Sequence, residues 1–277
     1  MTGTETSVTA GEVREFYDEF LRSRMLGYRL HGNRRIDRAN EKVLELVRAD
    51  SRVVELGCGI GLTTEAIGGK LATGHCWSFD ISPKNIWYAR QTVHDANVTF
   101  AVADFVSVFS SVESLVPGPV DLVVMVDVVE HVPAADRQRV LADCAALVSR
   151  MGCLFLSFPS PWYQRHLAQN ERDELQPVDE IIELATLNTE AIAAGWHIKE
   201  WILRDVWLRN QYVHAVLLRD TETGPTRDPG SRREGLGGSL MARVLDRLLA
   251  RYRRWKYVER VWSRDASAPS VSFTGPS

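Results

Sequence analysis

Hydrophobic positions in this chain follow two rhythms. Val13, Phe16, Tyr17, Phe20 and Leu21, and after them Ile36, Ala39, Val43, Leu44 and Val47, recur at helical intervals. That spacing lines one face of a helix, so two helices are predicted before any strand. From Val53 the rhythm changes to short, nearly unbroken apolar runs separated by helical stretches. Strands are predicted at 53–57, 75–81, 98–104, 120–128 and 152–159, with helices beginning near Thr63 and covering 83–94 and 134–149. Strands apolar on both faces belong to a parallel sheet held between layers of helix. A helix near 188–195 and strands at about 197–206 and 212–219 complete the series. The last two strands are too close in sequence for a parallel crossover and are expected to pair antiparallel. The expected fold is therefore α/β: a doubly wound, mainly parallel seven-stranded sheet with an antiparallel last strand. Residues 160–182 show no clear period and stand where a substrate-covering insertion is expected.

The pattern changes again toward the C-terminus. Residues 221–238, TETGPTRDPGSRREGLGG, are turn formers and charges and are expected to form a linker. Beyond it Met241, Val244, Leu245, Leu248, Tyr252, Trp255 and Trp262 share one helical stripe, and Arg243, Arg247, Arg251, Arg253, Arg254, Lys256 and Arg260 crowd the remaining surface. This predicts a C-terminal amphipathic basic helix over 239–264, followed by a disordered tail over 265–277. Between 227 and 265 eleven Lys and Arg stand against five Asp and Glu, a net +6 in a chain of net charge −3, so this end is a separate electrostatic object. Three roles stay open for it. It can dock on the main domain or on a second copy as a homodimer, lie on an anionic membrane surface as an interfacial helix, or bind an acidic polymer.

Composition narrows the class without naming it. With 45% hydrophobic and 25% charged residues, the 277-residue chain is ordinary globular protein, and its slight negative charge gives no reason to expect nucleic acid as a partner. Cys58, Cys76, Cys144 and Cys153 lie singly among apolar residues without paired ligand spacing, as expected of reduced thiols. The first residues carry acids and lack the apolar core of a signal peptide, and no run reaches the roughly 18 apolar residues of a membrane span. A cytoplasmic, soluble protein is expected.

Candidate chemistry centres on RVVELGCGIGLTTEAIG, residues 52–68, where a buried strand breaks into Gly57, Gly59 and Gly61. A dinucleotide site wants G-x-G-x-x-G, but Leu62 occupies the place of the last glycine. Glu55, just before the loop, would also set negative charge beside a phosphate. Both features disfavour an NAD-dependent dehydrogenase. A phosphate-free nucleoside carrying a cation reverses the sign of that contact, and S-adenosylmethionine, with its sulfonium and ammonium, is such a ligand.

VVELGCGIG, residues 53–61, resembles motif I of the class I (Rossmann-like) S-adenosylmethionine-dependent methyltransferases. Three further segments fall where that family places its motifs. SFDIS brings Asp80 and Ile81 to the end of the second strand, VADF brings Asp104 and Phe105 to the end of the third, and DLVVMVDVVEHVP brings Asp127 to His131 to the end of the fourth. The resemblance covers about residues 35–220, the expected cofactor-binding domain, and makes residues 1–34 a helical N-terminal lid. It implies that Glu55, Gly57, Gly59 and Gly61 hold the methionine moiety and ribose, and that Asp80, with Ile81 beside it, takes the ribose hydroxyls. Asp104 and Phe105 then read the adenine, and Asp127 lies near the transferable methyl. Within the family the chain looks most like small-molecule, sugar or quinone enzymes; NPPY and DPPY signatures are absent. The implied reaction is methyl transfer to an oxygen or nitrogen of a small molecule, sugar or lipid-linked glycan. A second reading, from another class, is a non-catalytic module of the same fold acting through its basic helix.

His131 is the candidate base, since imidazole titrates near neutrality, weighed against a packing role at the entry to the following helix. Asp127, Glu130 and His131 also form D-x-x-E-H, which resembles the E-x-x-E-H metal motif of some methyltransferases, with Asp in place of the first Glu. His166 or His197 would be the residues to complete such a site. The preferred reading has no metal, with Asp127 beside the cofactor and Glu130 at solvent or capping a helix. Trp162, Tyr163, Gln164 and His166 suit a wall of the acceptor site, and equally an exposed loop. Tyr17, Tyr28 and His31 in the lid are read first as packing residues.

Overall fold

A computed structural model of the protein describes residues 9–20, 25–171, 176 and 178–219. Leu21, the linker at 221–238, the basic helix at 239–264 and the tail at 265–277 lie outside the described residues.

The apolar runs become seven strands: β1 Arg52–Leu56, β2 His75–Asp80, β3 Val98–Val102, β4 Val120–Val126, β5 Val148–Pro159, β6 Trp196–Arg204 and β7 Tyr212–Arg219. They form one sheet in the order β3-β2-β1-β4-β5-β7-β6. The first five run parallel, and β7 is antiparallel to both β5 and β6. The chain steps outward from β1 through β2 to β3, then crosses back to lay β4 on the other flank of β1. That reversal leaves a crevice at the carboxyl ends of β1 and β4, the place where open sheets of this kind bind ligands.

The pleat divides the core in two. Val54, Leu56, Phe79, Val123, Met125 and Leu154 meet α7 (Ala134–Leu147) and α9 (Leu184–Ala193) through Val140, Leu141, Cys144, Leu187 and Ala191. Val53, Leu122, Val124, Phe155 and Val216 face α3 (Arg34–Leu46) and α4 (Leu62–Lys70) through Ala39, Val43 and Ile67. Each fully buried aliphatic side chain contributes about 1.5–3 kcal/mol of transfer free energy, so the strand runs, not helix propensity, fix the architecture.

Local signals start the helices that carry the site. Asn33 caps α3 by accepting from the Arg35 and Ile36 amides. Ser82–Pro83 and Ser160–Pro161 start α5 (Pro83–Thr92) and α8 (Pro161–Asn170) alike, with a serine cap followed by a proline whose missing amide is not needed there. A short turn, α6 (Ser110–Glu113), follows β3.

Two helices depart from the sequence expectation. Three helices precede β1, not two: α1 (Ala10–Phe20), α2 (Leu26–His31) and α3. The added one, α2, buries no residue, so it has no apolar stripe to reveal it. Likewise α8 lies within the stretch without period, because only Gln164 and Leu167 of it are buried.

Packing between α7 and α9 rests on a charge pair placed in the interior. Arg137, 2% exposed, donates to both oxygens of Glu190 at 2.6 and 2.8 Å. Removing one partner strands the other, whereas replacing both with apolar groups removes the desolvation cost as well. Glu190→Ala is therefore expected to lower unfolding free energy by about 3–5 kcal/mol. The double substitution Arg137→Met with Glu190→Leu should recover most of that loss in urea denaturation.

Candidate active site

The glycine turn after β1 bonds its amides within the protein itself. Gly57 and Cys58 donate to the Phe79 carbonyl at 2.8 and 2.9 Å, Gly59 donates to Asp80 Oδ2 at 2.8 Å, and Gly61 donates to the Cys58 carbonyl at 2.9 Å. A phosphate-binding loop needs such amides free and aimed at the ligand. Backbone conformation explains the glycines. Gly57 has φ 76°, and a Cβ there would lie 2.3 Å from Val128 Cγ2, so the end of β4 presses directly on the turn. Gly61 has φ 80° and faces Phe100, Val93 and Ala89 at 3.2–3.3 Å from a would-be Cβ. It is not among the residues lining the cleft. Gly61 instead seats α4 against α5 and β3.

Around the cleft stand Glu55, Gly57, Gly59, Asp80, Ile81, Asp104, Phe105, Asp127 and His131, brought from the ends of β1 to β4. Tyr17 and Phe20 of α1, Met25 and Tyr28 near α2, and Arg35 of α3 line the same cleft. Its walls therefore combine apolar rings with carboxylates. Glu55 is 2% exposed and accepts from Thr64 Oγ1 at 2.5 Å and Ser78 Oγ at 3.0 Å. Burial outweighs those bonds and raises its carboxyl to about 7. Asp80 accepts from the Gly59 and Ser82 amides and from Asn85 Nδ2 at 2.8, 2.9 and 3.1 Å. Three bonds leave one of the roughly four acceptor positions of a carboxylate. Asp127 pairs with Arg35 Nε at 2.8 Å, and the guanidinium also lies over the Tyr28 and Tyr212 rings. Burial raises the Asp127 carboxyl and Arg35 opposes that rise. Oδ1 of Asp127 is buried without a hydrogen-bond partner. Asp104 stays half-exposed and accepts from the Ser107 amide, while Phe105 packs into the core with an edge on the cleft.

A cleft with internally bonded amides and carboxylates on its rim repels a pyrophosphate and suits a cationic nucleoside. Residues 53–152 match the family described as Methyltransferase domain. That segment is similar to a methyltransferase domain, and the fold is the one class I S-adenosylmethionine-dependent methyltransferases share. Curated relatives called ubiquinone biosynthesis O-methyltransferase include those of Xylella fastidiosa, 31% identical over 107 residues, and Thiobacillus denitrificans, 33% identical over 110 residues. Each alignment covers 39% of this chain, and 41% and 44% of those relatives, so the chain spans less than half the length of the proteins it matches. Among solved structures, the magnesium protoporphyrin IX methyltransferase of Synechocystis with bound SAH superposes with TM-score 0.59 over 76% of this chain and 99% of that one at 18% identity. A methyltransferase from Mesorhizobium loti superposes with TM-score 0.55 over 66% and 100% at 18% identity. At such identity the likeness shows the fold alone.

His131 supplies the cleft with an imidazole, the one such ring among the described lining residues. It ends a short 3-10 turn, Val129–His131, that follows β4. Its Nδ1 lies 2.7 Å from the Val178 carbonyl, which can only accept, so Nδ1 carries the proton and Nε2 is left with a lone pair. Burial holds the imidazole below its usual range. Glu130 departs from the expectation: it is 2% exposed, not at solvent, with Oε2 unpartnered, and burial followed by the nearby Asp127 holds its carboxyl well above the usual range. The 3-10 turn is the cause, because it folds residue 130 inward. Trp162, Tyr163, Gln164 and His166 sit on α8, and none of them lines the cleft. His31 is exposed, and His197 lies on the sheet-edge strand β6. Sequence reasoning missed Arg35, Val178 and Asp179, which no motif marks and which reach the site only through the tertiary fold.

Glu55 makes stability depend on pH with a definite sign. Its folded value of about 7 lies above the ordinary 4.5, so the folded state holds the proton more tightly. The associated stabilisation is complete below about pH 4.5 and is lost as pH rises through about 7. Each tenfold change in proton affinity on folding is worth about 1.4 kcal/mol. Relative to wild type, Glu55→Gln in the ligand-free protein should therefore gain up to about 3 kcal/mol between pH 4 and pH 8. Paired urea titrations at the two pH values measure it.

Proposed function

We propose that the protein transfers the methyl group of S-adenosylmethionine to a hydroxyl oxygen of a small, mainly apolar ring compound. The observation that carries this reading is His131, a cleft-lining residue fixed as the Nδ1–H tautomer, which leaves Nε2 with a lone pair. A hydroxyl is a poor nucleophile until its proton is taken, and a neutral imidazole within reach is the group to take it. Residues beside it favour an apolar acceptor over a sugar: the Tyr17 ring lies 6.5 Å from the His131 ring, edge on, and Phe20 and Val132 also line the cleft. The names of the curated relatives point to oxygen methylation as well.

In this reading Gly57, Gly59 and Glu55 receive the methionine end of the cofactor, Asp80 and Ile81 the ribose, and Asp104 and Phe105 the adenine. Once bound, S-adenosylmethionine supplies an electrophilic methyl on a sulfonium. Glu55 and Asp80 favour the positive charge of that ligand, and approach of a cation draws Glu55 toward its ionised form. Arg35 neutralises Asp127, so the acceptor end of the cleft carries less negative charge than the cofactor end. Tyr17, held protonated by burial, donates to Gln176 Oε1 at 2.7 Å and anchors α1 over the cleft, excluding water from the reacting pair. Alignment of acceptor and methyl then supplies much of the acceleration. A non-catalytic role leaves this tautomer-fixed imidazole without a task.

Transfer of labelled methyl from S-adenosylmethionine to a panel of phenols, catechols and quinols tests the proposal, with label expected on oxygen. His131→Ala should lower kcat by roughly 100- to 10,000-fold while leaving cofactor affinity within a few-fold in calorimetry. Full turnover by that variant would remove the proton-acceptor role, and absence of label on every acceptor class would remove the activity.

A further inference from the structure

Behind His131 runs a short strap that the sequence motifs do not include. The Val178 carbonyl receives His131 Nδ1–H at 2.7 Å, and the Glu180 amide donates to the Glu130 carbonyl at 2.8 Å, so the strap is bonded to the 3-10 turn on both sides of residue 179. Between those two bonds, Asp179 places Oδ1 3.6 Å from His131 Nδ1. Its carboxylate does not swing freely. Gln164 Nε2 of α8, itself 2% exposed, donates to Oδ1 at 2.6 Å, and the Gln176 amide donates to Oδ2 at 2.9 Å. Gln176 in turn accepts from Tyr17 of α1.

We propose that Asp179 is the positioning residue of His131: its anchored carboxylate sets the basicity of the imidazole and, with the Val178 carbonyl, the ring's tautomer and aim. The inference rests on the reading of His131 as proton acceptor. When Nε2 takes a proton, the ring becomes a cation in a buried place, and a fixed carboxylate on its far side stabilises that cation without competing for the lone pair. The other charged or titratable groups facing the ring divide in sign. Asp127 favours the imidazolium and Arg35 opposes it, while the carboxyl of Glu130, 3.9 Å from Nε2, is pushed well above its usual range by burial, and Tyr17 stays neutral. Asp179 is the strongest of the influences that raise the ring's basicity against burial. The role of Gln164 follows: buried and bonded to Asp179, it explains why an α8 residue outside the cleft has its amide inside the fold.

The test is a titration of His131 by NMR in the full chain carrying isotope-labelled histidine, with the resonance assigned by its loss in His131→Ala. Asp179→Asn should lower the His131 midpoint by about one pH unit, and Asp179→Glu should restore most of it. The acid limb of kcat/KM should move down by a similar amount, with cofactor affinity unchanged within a few-fold. An unmoved midpoint in folded Asp179→Asn overturns the proposal. Should that variant not fold, Gln164→Met, which frees the carboxylate from its anchor, is expected to shift the midpoint in the same direction, and no shift there overturns the proposal equally. Activity of His131→Ala tests the proton-acceptor reading by itself, so the two failures are separable.

Discussion

The domain is organised around buried negative charge at the carboxyl ends of its parallel strands. Taking a carboxylate out of water is expensive unless it is neutralised or hydrogen-bonded, and the cleft settles each of its acids differently. Asp80 is surrounded by amide donors, Asp127 is set against Arg35, Glu55 leans on two hydroxyls and a raised proton affinity, and burial pushes the Glu130 carboxyl well above its usual range. Burial pushes all four carboxyls toward the neutral form, and the donors and Arg35 oppose that push at Asp80, Asp127 and Glu55. A site built this way discriminates by charge before it discriminates by shape.

The same placement of donors shapes the glycine turn. Its amides close on Phe79, Cys58 and Asp80, so Asp80 both lines the cleft and holds the loop beside it. Val128 occupies the space a side chain at Gly57 would need, which locks the turn after β1 to the turn after β4. Asp127, just before Val128, takes a φ of 55°, a left-handed conformation that aspartate tolerates better than most residues. Two segments far apart in sequence thus constrain each other's backbone, and the carboxylates they carry keep fixed separations.

Much of this is legible in the sequence because buried strands leave a strong signal. The runs at β1, β2 and β4 carry Glu55, Asp80 and Asp127 at or next to their carboxyl ends, and a parallel sheet necessarily gathers those ends along one edge. Where burial is sparse, legibility fails. The helix α2 buries nothing and α8 buries only Gln164 and Leu167, so neither shows a period. The motif assigns Gly61 to the cofactor, whereas its neighbours Phe100, Val93 and Ala89 show a packing duty. A polar residue after a strand is ordinarily at solvent, and for Glu130 the 3-10 turn reverses that. Arg35 and Asp179 leave no trace in the sequence, since a lone arginine or aspartate carries no spacing and its partner is chosen by the fold.

These unannounced residues give the cleft its asymmetry. On the side of β1 and β2 the acids are answered by neutral donors, amides and hydroxyls, so the net charge there stays negative when they ionise. On the side of β4 Asp127 is answered by a full cation, and His131 keeps its proton on Nδ1 and a lone pair on Nε2. A cationic ligand is therefore drawn to one end and an uncharged nucleophile tolerated at the other. The methyl transfer proposed above would run along that gradient, with positive charge leaving the end rich in carboxylates and emerging, as a proton, on the imidazole backed by the strap. In that reading the leaving positive charge is met at the far end by a carboxylate already fixed in place, so a desolvated site need not reorganise as charge moves.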